Sequence, residues 1–167
     1  MSDFLRALHD ALDERRRARR LTWAAATREI NRGVVTRHQI ARSTIAGLKT
    51  KSVAEGDGVL QMLLWLGRTP ESVVPGFADA GAERFQLPMP AEHEVLRWDL
   101  PKLYTALDAE RQARGKSWAV VAREIGGVTP GVLTGLARAS RVGFPGVMRI
   151  IAWLGRPAAA FTRIAAR

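Results

Sequence analysis

Two stretches of the chain, Thr22 to Lys51 and Ser117 to Arg141, hold the residues whose types and spacing could do chemistry. Each opens on a hydroxyl beside an indole, Thr22-Trp23 and Ser117-Trp118. Each closes on cations, Lys49 and Lys51 in the first and Arg138 and Arg141 in the second. Between them lie Arg37, Arg42, Ser43 and Thr44 in the first stretch, and Thr129 and Thr134 in the second. These groups share one chemistry. They donate hydrogen bonds to anionic oxygen, and Arg also grips a guanine edge. Groups able to make or break covalent bonds are sparse. His9, His38 and His93 are scattered without metal-ligand spacing, there is no Cys, and no Gly-rich phosphate loop follows a strand. Asp13-Glu14 and the pair Asp108 and Glu110 read as solvated carboxylates on a helix. An enzyme is not expected, nor a metal or organic cofactor.

The elements that must position these groups are clearest in the second stretch. Ser117 is placed to cap a helix with its hydroxyl. Trp118, Val121, Ala122 and Ile125 then recur at i, i+3, i+4 and i+7, the spacing of one buried helical face. Gly126-Gly127 ends that helix, because Gly takes left-handed dihedrals at no steric cost. Thr129-Pro130 starts another, with the hydroxyl as N-cap and Pro where no N–H is missed. Val132, Leu133 and Leu136 form its inner face. Two short helices joined by a tight Gly turn are a helix-turn-helix signature.

The first stretch repeats this pattern. Thr22-Trp23 matches Ser117-Trp118, and Arg28-Glu29-Ile30 matches Arg123-Glu124-Ile125, at an offset of 95 residues. Gly47-Leu48 matches Gly135-Leu136, and Trp65-Leu66-Gly67-Arg68 matches Trp153-Leu154-Gly155-Arg156, at an offset of 88. Copy one therefore carries 95 − 88 = 7 extra residues, which fall between Asn31 and Gln39 in the turn between its two short helices.

Composition bounds the partners. Lys and Arg number 26 and Asp and Glu 16, a net charge of +10 with a pI near 11.4. Residues 1–80 hold 13 cations and 9 anions, and residues 81–167 hold 13 and 7, so both halves are basic. A polyanion is the natural partner. No apolar run approaches the ~20 residues of a membrane span, and the N-terminus does not read as a secretory signal. A cytoplasmic protein without a membrane association is expected.

Two repeats in 167 residues predict two small all-helical domains, residues 1–74 and 99–167, joined by a linker over 75–98. In the first, Leu5, Leu8 and Leu12 line helix one, which ends in the basic run Arg15 to Arg20. That run reads either as solvated charge favoured at a helix C-terminus or as a phosphate contact. Helix two spans about residues 23–30 and helix three about 42–50. Residues 51–58 read as a loop, an apolar helix four follows, and Thr69-Pro70 starts a short fifth helix. In copy two, helix one starts at Asp99, helix four spans 147–154, and Pro157 begins the fifth. The linker is partly apolar, and 84–87 with 93–98 could form a short hairpin. Extended, it reaches at most ~80 Å, more than the ~34 Å between half-sites one turn apart.

Each copy resembles the Cro/C1-type (XRE-like, lambda-repressor-like) helix-turn-helix family. The residues that carry the resemblance are the Leu-rich first helix, Ser117-Trp118 with Val121, Ala122 and Ile125, the Gly turn, Val128-Thr129 with Leu133 and Leu136, and the apolar fourth helix ending in Leu154-Gly155. It spans almost all of both repeats and implies two tandem five-helix DNA-binding domains. By position it places Arg42, Ser43, Thr44 and Ala46 of copy one in the major groove, with Pro130, Gly131, Val132 and Thr134 of copy two. The bases would then be read by Arg42, Ser43, Thr44 and Thr134. Phosphates would be met by Thr22, Trp23, Arg37, Lys49, Lys51, Ser117, Trp118, Thr129, Arg138 and Arg141. The family often has Gln where Trp23 and Trp118 stand, and its Glu-x-Gly after helix three is replaced by Lys49-Thr50-Lys51 and Ala137-Arg138-Ala139. Gly47 and Gly135 read as mid-helix glycines, a shared cost that points to close approach of a DNA backbone or of another helix.

The expected function is sequence-specific binding of double-stranded DNA by a transcription regulator, acting as a fused pseudo-dimer or with one copy kept for dimerisation, including homodimerisation. Two alternatives stay open: a module that uses the same fold for a protein partner, and a non-specific architectural DNA binder.

Overall fold

The computed structural model describes residues 3–75, 77 and 86–166. Among them the first repeat forms α1 (Asp3–Ala18), α2 (Trp23–Ile30), α3 (Arg42–Gly47) and α4 (Gly56–Leu66), and the second forms α5 (Leu100–Ala113), α6 (Trp118–Ile125), α7 (Pro130–Gly135) and α8 (Phe144–Leu154). Helices α2, α5, α6 and α7 are each capped by a side chain at their start. The Thr22, Ser117 and Thr129 hydroxyls accept from the backbone N–H groups of Ala25, Val120 and Val132 at 3.1, 3.3 and 3.2 Å. The Asp99 carboxylate accepts from Lys102 N at 3.1 Å. Gly67 and Gly155 end α4 and α8 at φ values of +65° and +66°, where glycine carries no Cβ penalty. No helix among the described residues is long and apolar enough to cross a membrane.

Several element boundaries differ from the sequence reading. The third helices are shorter than expected, because Gly47 and Gly135 are their last residues and not interior ones. Gly135 leads directly into a single 3-10 turn, Leu136–Arg138. The fourth helices start earlier, at Gly56 and Phe144. The Glu55 carboxylate caps α4 by accepting from Asp57 N and Gly58 N at 3.2 and 2.9 Å. The fifth helices are single 3-10 turns, Pro70–Val73 and Ala158–Phe161, and the Thr69 hydroxyl is buried without a capping bond.

The expected turn of copy one also has an internal clasp. Asn31 donates from Nδ2 to the Ile40 carbonyl at 2.8 Å and accepts the Ile40 N–H at 2.7 Å. One side chain thus closes the segment that carries the insertion, which includes a 3-10 turn at Thr36–His38. Copy two closes its shorter turn with Gly126 and Gly127, both at positive φ.

The fold is not purely helical. Strands β1 (Glu94–Trp98) and β2 (Thr162–Ala166) pair antiparallel, with Glu94 opposite Ala166 and Trp98 opposite Thr162. The hairpin expected between 84–87 and 93–98 is therefore replaced: residues 93–98 do supply a strand, but its partner is the C-terminal segment. Gln86 and Leu87 are not in a strand, and Arg84 and Phe85 lie outside the described residues. Leu96 and Trp98 bury in the helical core, apolar burial that a free hairpin lacks.

The two repeats meet about a pseudo-two-fold axis. Gly56 N donates to Val142 O and Phe144 N donates to Ala54 O, both at 2.8 Å, and Glu55 faces Gly143 in an antiparallel bridge. Ala54, Glu55 and Gly56 lie 88 residues before Val142, Gly143 and Phe144, the offset of the repeat itself. Glu55 thus faces its own equivalent, and the two flanking bonds exchange equivalent residues, as an isologous contact requires. α4 packs on α8 behind this bridge, and one cluster of buried side chains runs through both repeats. Further ties cross the junction. The Asp57 carboxylate accepts Trp98 N at 3.0 Å, and the buried Glu71 carboxylate accepts Ala158 N at 2.6 Å. The side chains at the axis are not equivalent: Phe144 packs on Phe4 at 5.6 Å between ring centroids, whereas Gly56 lies under the Trp98 indole.

Candidate nucleic-acid interface

The hydroxyl-indole pair at the start of each second helix is set by the helix before it. In copy one, Asp13 accepts from the Arg16 guanidinium at 2.9 and 2.6 Å and from Arg17 at 2.9 Å. Arg16 also donates to Leu21 O at 2.9 Å and lies 4.9 Å from the centre of the Trp23 ring. Copy two repeats each contact. Arg111 bonds Asp108 at 2.9 and 2.7 Å, donates to Lys116 O at 2.9 Å, and lies 4.8 Å from the Trp118 ring centre. The carboxylate aims the guanidinium, which in turn holds the indole by a cation–π contact. The hydrogen bond from Arg16 holds the Asp13 carboxyl below the usual carboxylate range. A second aromatic, His9 in copy one and Tyr104 in copy two, packs on each Trp at 5.3 and 5.8 Å. Neither indole N–H of Trp23 or Trp118 has a hydrogen-bond partner among the described residues.

Asp13 and Asp108 are therefore not simply solvated, as the sequence suggests, but position Arg16 and Arg111 against the indoles. The signal was present in the sequence: Asp13, Arg16 and Trp23 recur as Asp108, Arg111 and Trp118 with spacings of three and seven. The other Trp pair is anchored through the indole N–H instead. Trp65 Nε1 donates to Glu29 and Trp153 Nε1 to Glu124, each at 3.0 Å. Hydrogen bonds from Arg19 to Glu29 and from Lys116 to Glu124, with those from the indoles, lower both carboxyls. Most of the basic run of α1 therefore has intramolecular work. Arg15 lies over Trp65, Arg16 over Trp23, Arg17 on Asp13 and Arg19 on Glu29.

The proposed contact residues divide into two groups in copy one. Trp23, Arg42, Ala46 and Lys49 surround a depression of about 270 Å³ between α1 and α3, with Arg16 and Arg17 on its wall. Arg37 and Thr44 face away from it, into a cleft shared with copy two. Ser43 and Lys51 are exposed, and the Lys51 side chain lies beside Gly47. The Thr22, Ser117 and Thr129 oxygens accept cap bonds, which leaves each hydroxyl proton free to donate outward. In copy two, Thr134 back-bonds to Pro130 O and Gly131 O at 3.1 and 3.3 Å, so its oxygen presents acceptor capacity to a ligand. Val132 beside it is 47% exposed.

The cations divide by partner. Arg37, Arg42, Lys49, Lys51, Arg138 and Arg141 make no ion pair among the described residues, and neither do Arg6, Arg28, Arg32, Arg123 and Arg156 elsewhere on the chain. Arg16, Arg17, Arg19, Arg111, Arg114 and Lys116, which anchor the scaffold, all do. No residue type crowds Gly135, whose missing Cβ would meet nothing within 4 Å, so no neighbouring helix explains that glycine. Comparison with family models, curated proteins and solved structures finds no match to this chain.

Proposed function

We propose that the chain binds double-stranded DNA as a covalent pseudo-dimer of two helix-turn-helix units and acts in the cytoplasm as a sequence-specific transcription regulator of the Cro/C1 type. The observation that carries this reading is the isologous pairing of Ala54–Gly56 with Val142–Phe144. A two-fold arrangement of reading helices has the symmetry of an operator with inverted half-sites. The unpaired cations support the same reading, since phosphate neutralisation dominates DNA affinity.

In this reading α3 supplies most base contacts through Arg42, Ser43 and Thr44, and α7 contributes Thr134. Thr22, Trp23, Lys49, Lys51, Ser117, Trp118, Thr129, Arg138, Arg37 and Arg141 meet phosphates. The free indole N–H groups and outward hydroxyl protons suit that role. A second reading draws on α7, where Pro130, Gly131 and the half-exposed Val132 offer little to a base edge. An apolar surface of this kind suits a protein partner.

Selection from a random duplex pool near physiological salt tests the proposal. A two-part motif with halves about one helical turn apart is expected. A single compact motif assigns reading to copy one alone, and leaves α7 to a partner. Binding without enrichment moves the function to architectural DNA binding.

A further inference from the structure

The cleft between the repeats, about 520 Å³ in volume, is within the range of small-molecule sites. Its rim carries Arg37 from the turn of copy one, Arg97 from β1 and Arg141 from the segment after α7, and its floor is apolar, with Ile40, Val59 and Met62. Thr44 and Ser140 add hydroxyls. His38 sits among the guanidiniums, with Nε2 at 3.1 Å from Arg37 Nε and 2.8 Å from Arg97 Nη2. Both of those groups are donors, so this imidazole nitrogen accepts and the ring is neutral. Burial first, then Arg97, Arg37 and Arg141, hold its pKa below the ordinary value.

Two carboxylates also line the cleft, but both are occupied. Glu55 caps α4, and Asp57 accepts Trp98 N, with Arg97 no nearer than 4.0 Å. Burial raises the Asp57 pKa. Arg37 and Arg141 are left without any carboxylate partner among the described residues. Guanidinium forks match phosphate and carboxylate oxygens in pairs.

The residues of the cleft are not repeated in the two copies. At the repeat offset of 88, Thr44 corresponds to Val132, Arg141 to Val53 and Asp57 to Pro145. Machinery that each helix-turn-helix unit needed for DNA would occur twice.

We propose that the inter-repeat cleft is a binding site for a small organic oxyanion, a phosphate or carboxylate carried on an apolar body. The acidic group is held by Arg37, Arg97 and Arg141, and the body lies on the floor made by Ile40, Val59 and Met62. This assignment takes Arg37 and Arg141 out of the phosphate contacts of the DNA-binding reading and does not otherwise depend on it.

The test is calorimetric titration of the full chain with phenyl phosphate and, separately, inorganic phosphate. The site predicts saturable phenyl phosphate binding at least tenfold tighter than inorganic phosphate. The double variant R37Q/R141Q, which removes two exposed unpaired cations, should weaken binding at least tenfold, and Arg156→Gln, away from the cleft, should not change it. Equal affinity for the two anions overturns the apolar subsite, and undiminished binding in R37Q/R141Q overturns the location. A third arm separates the site from DNA binding. If phenyl phosphate fails to bind while a duplex binds and loses affinity in R37Q/R141Q, the cations belong to DNA and the proposal is wrong.

Discussion

Replacing Gly56 by Ala tests the pseudo-two-fold junction directly, because two physical effects predict opposite signs. Gly56 is the first residue of α4 and does not have a positive φ. On helix propensity alone, Ala should stabilise the chain by up to ~1 kcal/mol. Packing argues otherwise. A Cβ at residue 56 would lie 2.8 Å from Trp98 Cδ1 and Nε1, and 2.9 Å from Val142 O. That carbonyl is the one Gly56 N bonds across the junction, so relief requires moving backbone that the bridge fixes. Overpacking of this kind costs about 1–3 kcal/mol, and the net expectation is a loss of about 1–2 kcal/mol. Urea unfolding at constant slope reads it as a lower midpoint. Trp98→Leu in the same background should recover part of the loss, with a coupling energy above ~0.5 kcal/mol. Stability of Gly56→Ala equal to or above that of the parent would refute the argument, and with it the claim that the junction is rigid.

Gly135→Ala has the opposite expectation for stability. With φ −81°, ψ −11° and open space around the new methyl, it should stabilise the chain by ~0.4–1 kcal/mol in urea unfolding. If α7 meets a DNA backbone at this residue, duplex affinity falls in the same variant, and unchanged affinity would remove α7 from the groove. Asp13→Asn and Asp108→Asn should each cost about 1 kcal/mol, and the two losses should add, since each frees its own guanidinium. Because the Asp13 pKa is lowered on folding, its contribution is full above the ordinary value of 3.8 and is lost as pH falls through the folded value. A pH series comparing parent and Asp13→Asn reads this as a gap that closes in acid. His38 also has a lowered folded pKa, from burial and three guanidiniums with Glu55 as the opposing charge. The unfolded chain therefore binds the proton more readily, and stability falls as pH drops from the ordinary 6.5 through the folded value. His38→Gln should flatten that decline, and an unchanged slope would place the titration elsewhere.

The sequence made much of this molecule legible where the information was local. Helix starts at Thr22, Ser117 and Thr129 were readable because a cap is a contact over three residues. The repeat was readable because its offsets are constant on either side of one insertion. The β1–β2 pair was not. Glu94-Val95-Leu96-Arg97-Trp98 has strand character, but Thr162-Arg163-Ile164-Ala165-Ala166 does not stand out from a helix tail, and strand pairing is decided by the surface it packs against. The Asp13–Arg16–Trp23 array shows the intermediate case. Its spacing was visible, but its meaning required knowing that α1 and the start of α2 lie side by side. The cleft is the far case. Its cations come from three separate segments, and no periodicity links Arg37, Arg97 and Arg141.

The junction also accounts for why the two copies differ where they meet. A homodimer of identical chains would place the same side chain on both sides of the axis. Here Phe144 packs on both Phe4 and Trp98, while its equivalent Gly56 leaves room for the Trp98 ring. Two copies of the first kind would face each other across Gly56, without the ring that fills the junction. Two of the second kind would bring Phe144 against Phe144. Neither reproduces the large-against-small fit, so the pairing favours the heterologous partner supplied in the same chain. The same break in symmetry admits β1 to one side of the axis, and β1 brings Arg97 to the cleft. The two faces of the axis are not alike, and the face that admits β1 is the one where Arg37, Arg97 and Arg141 meet.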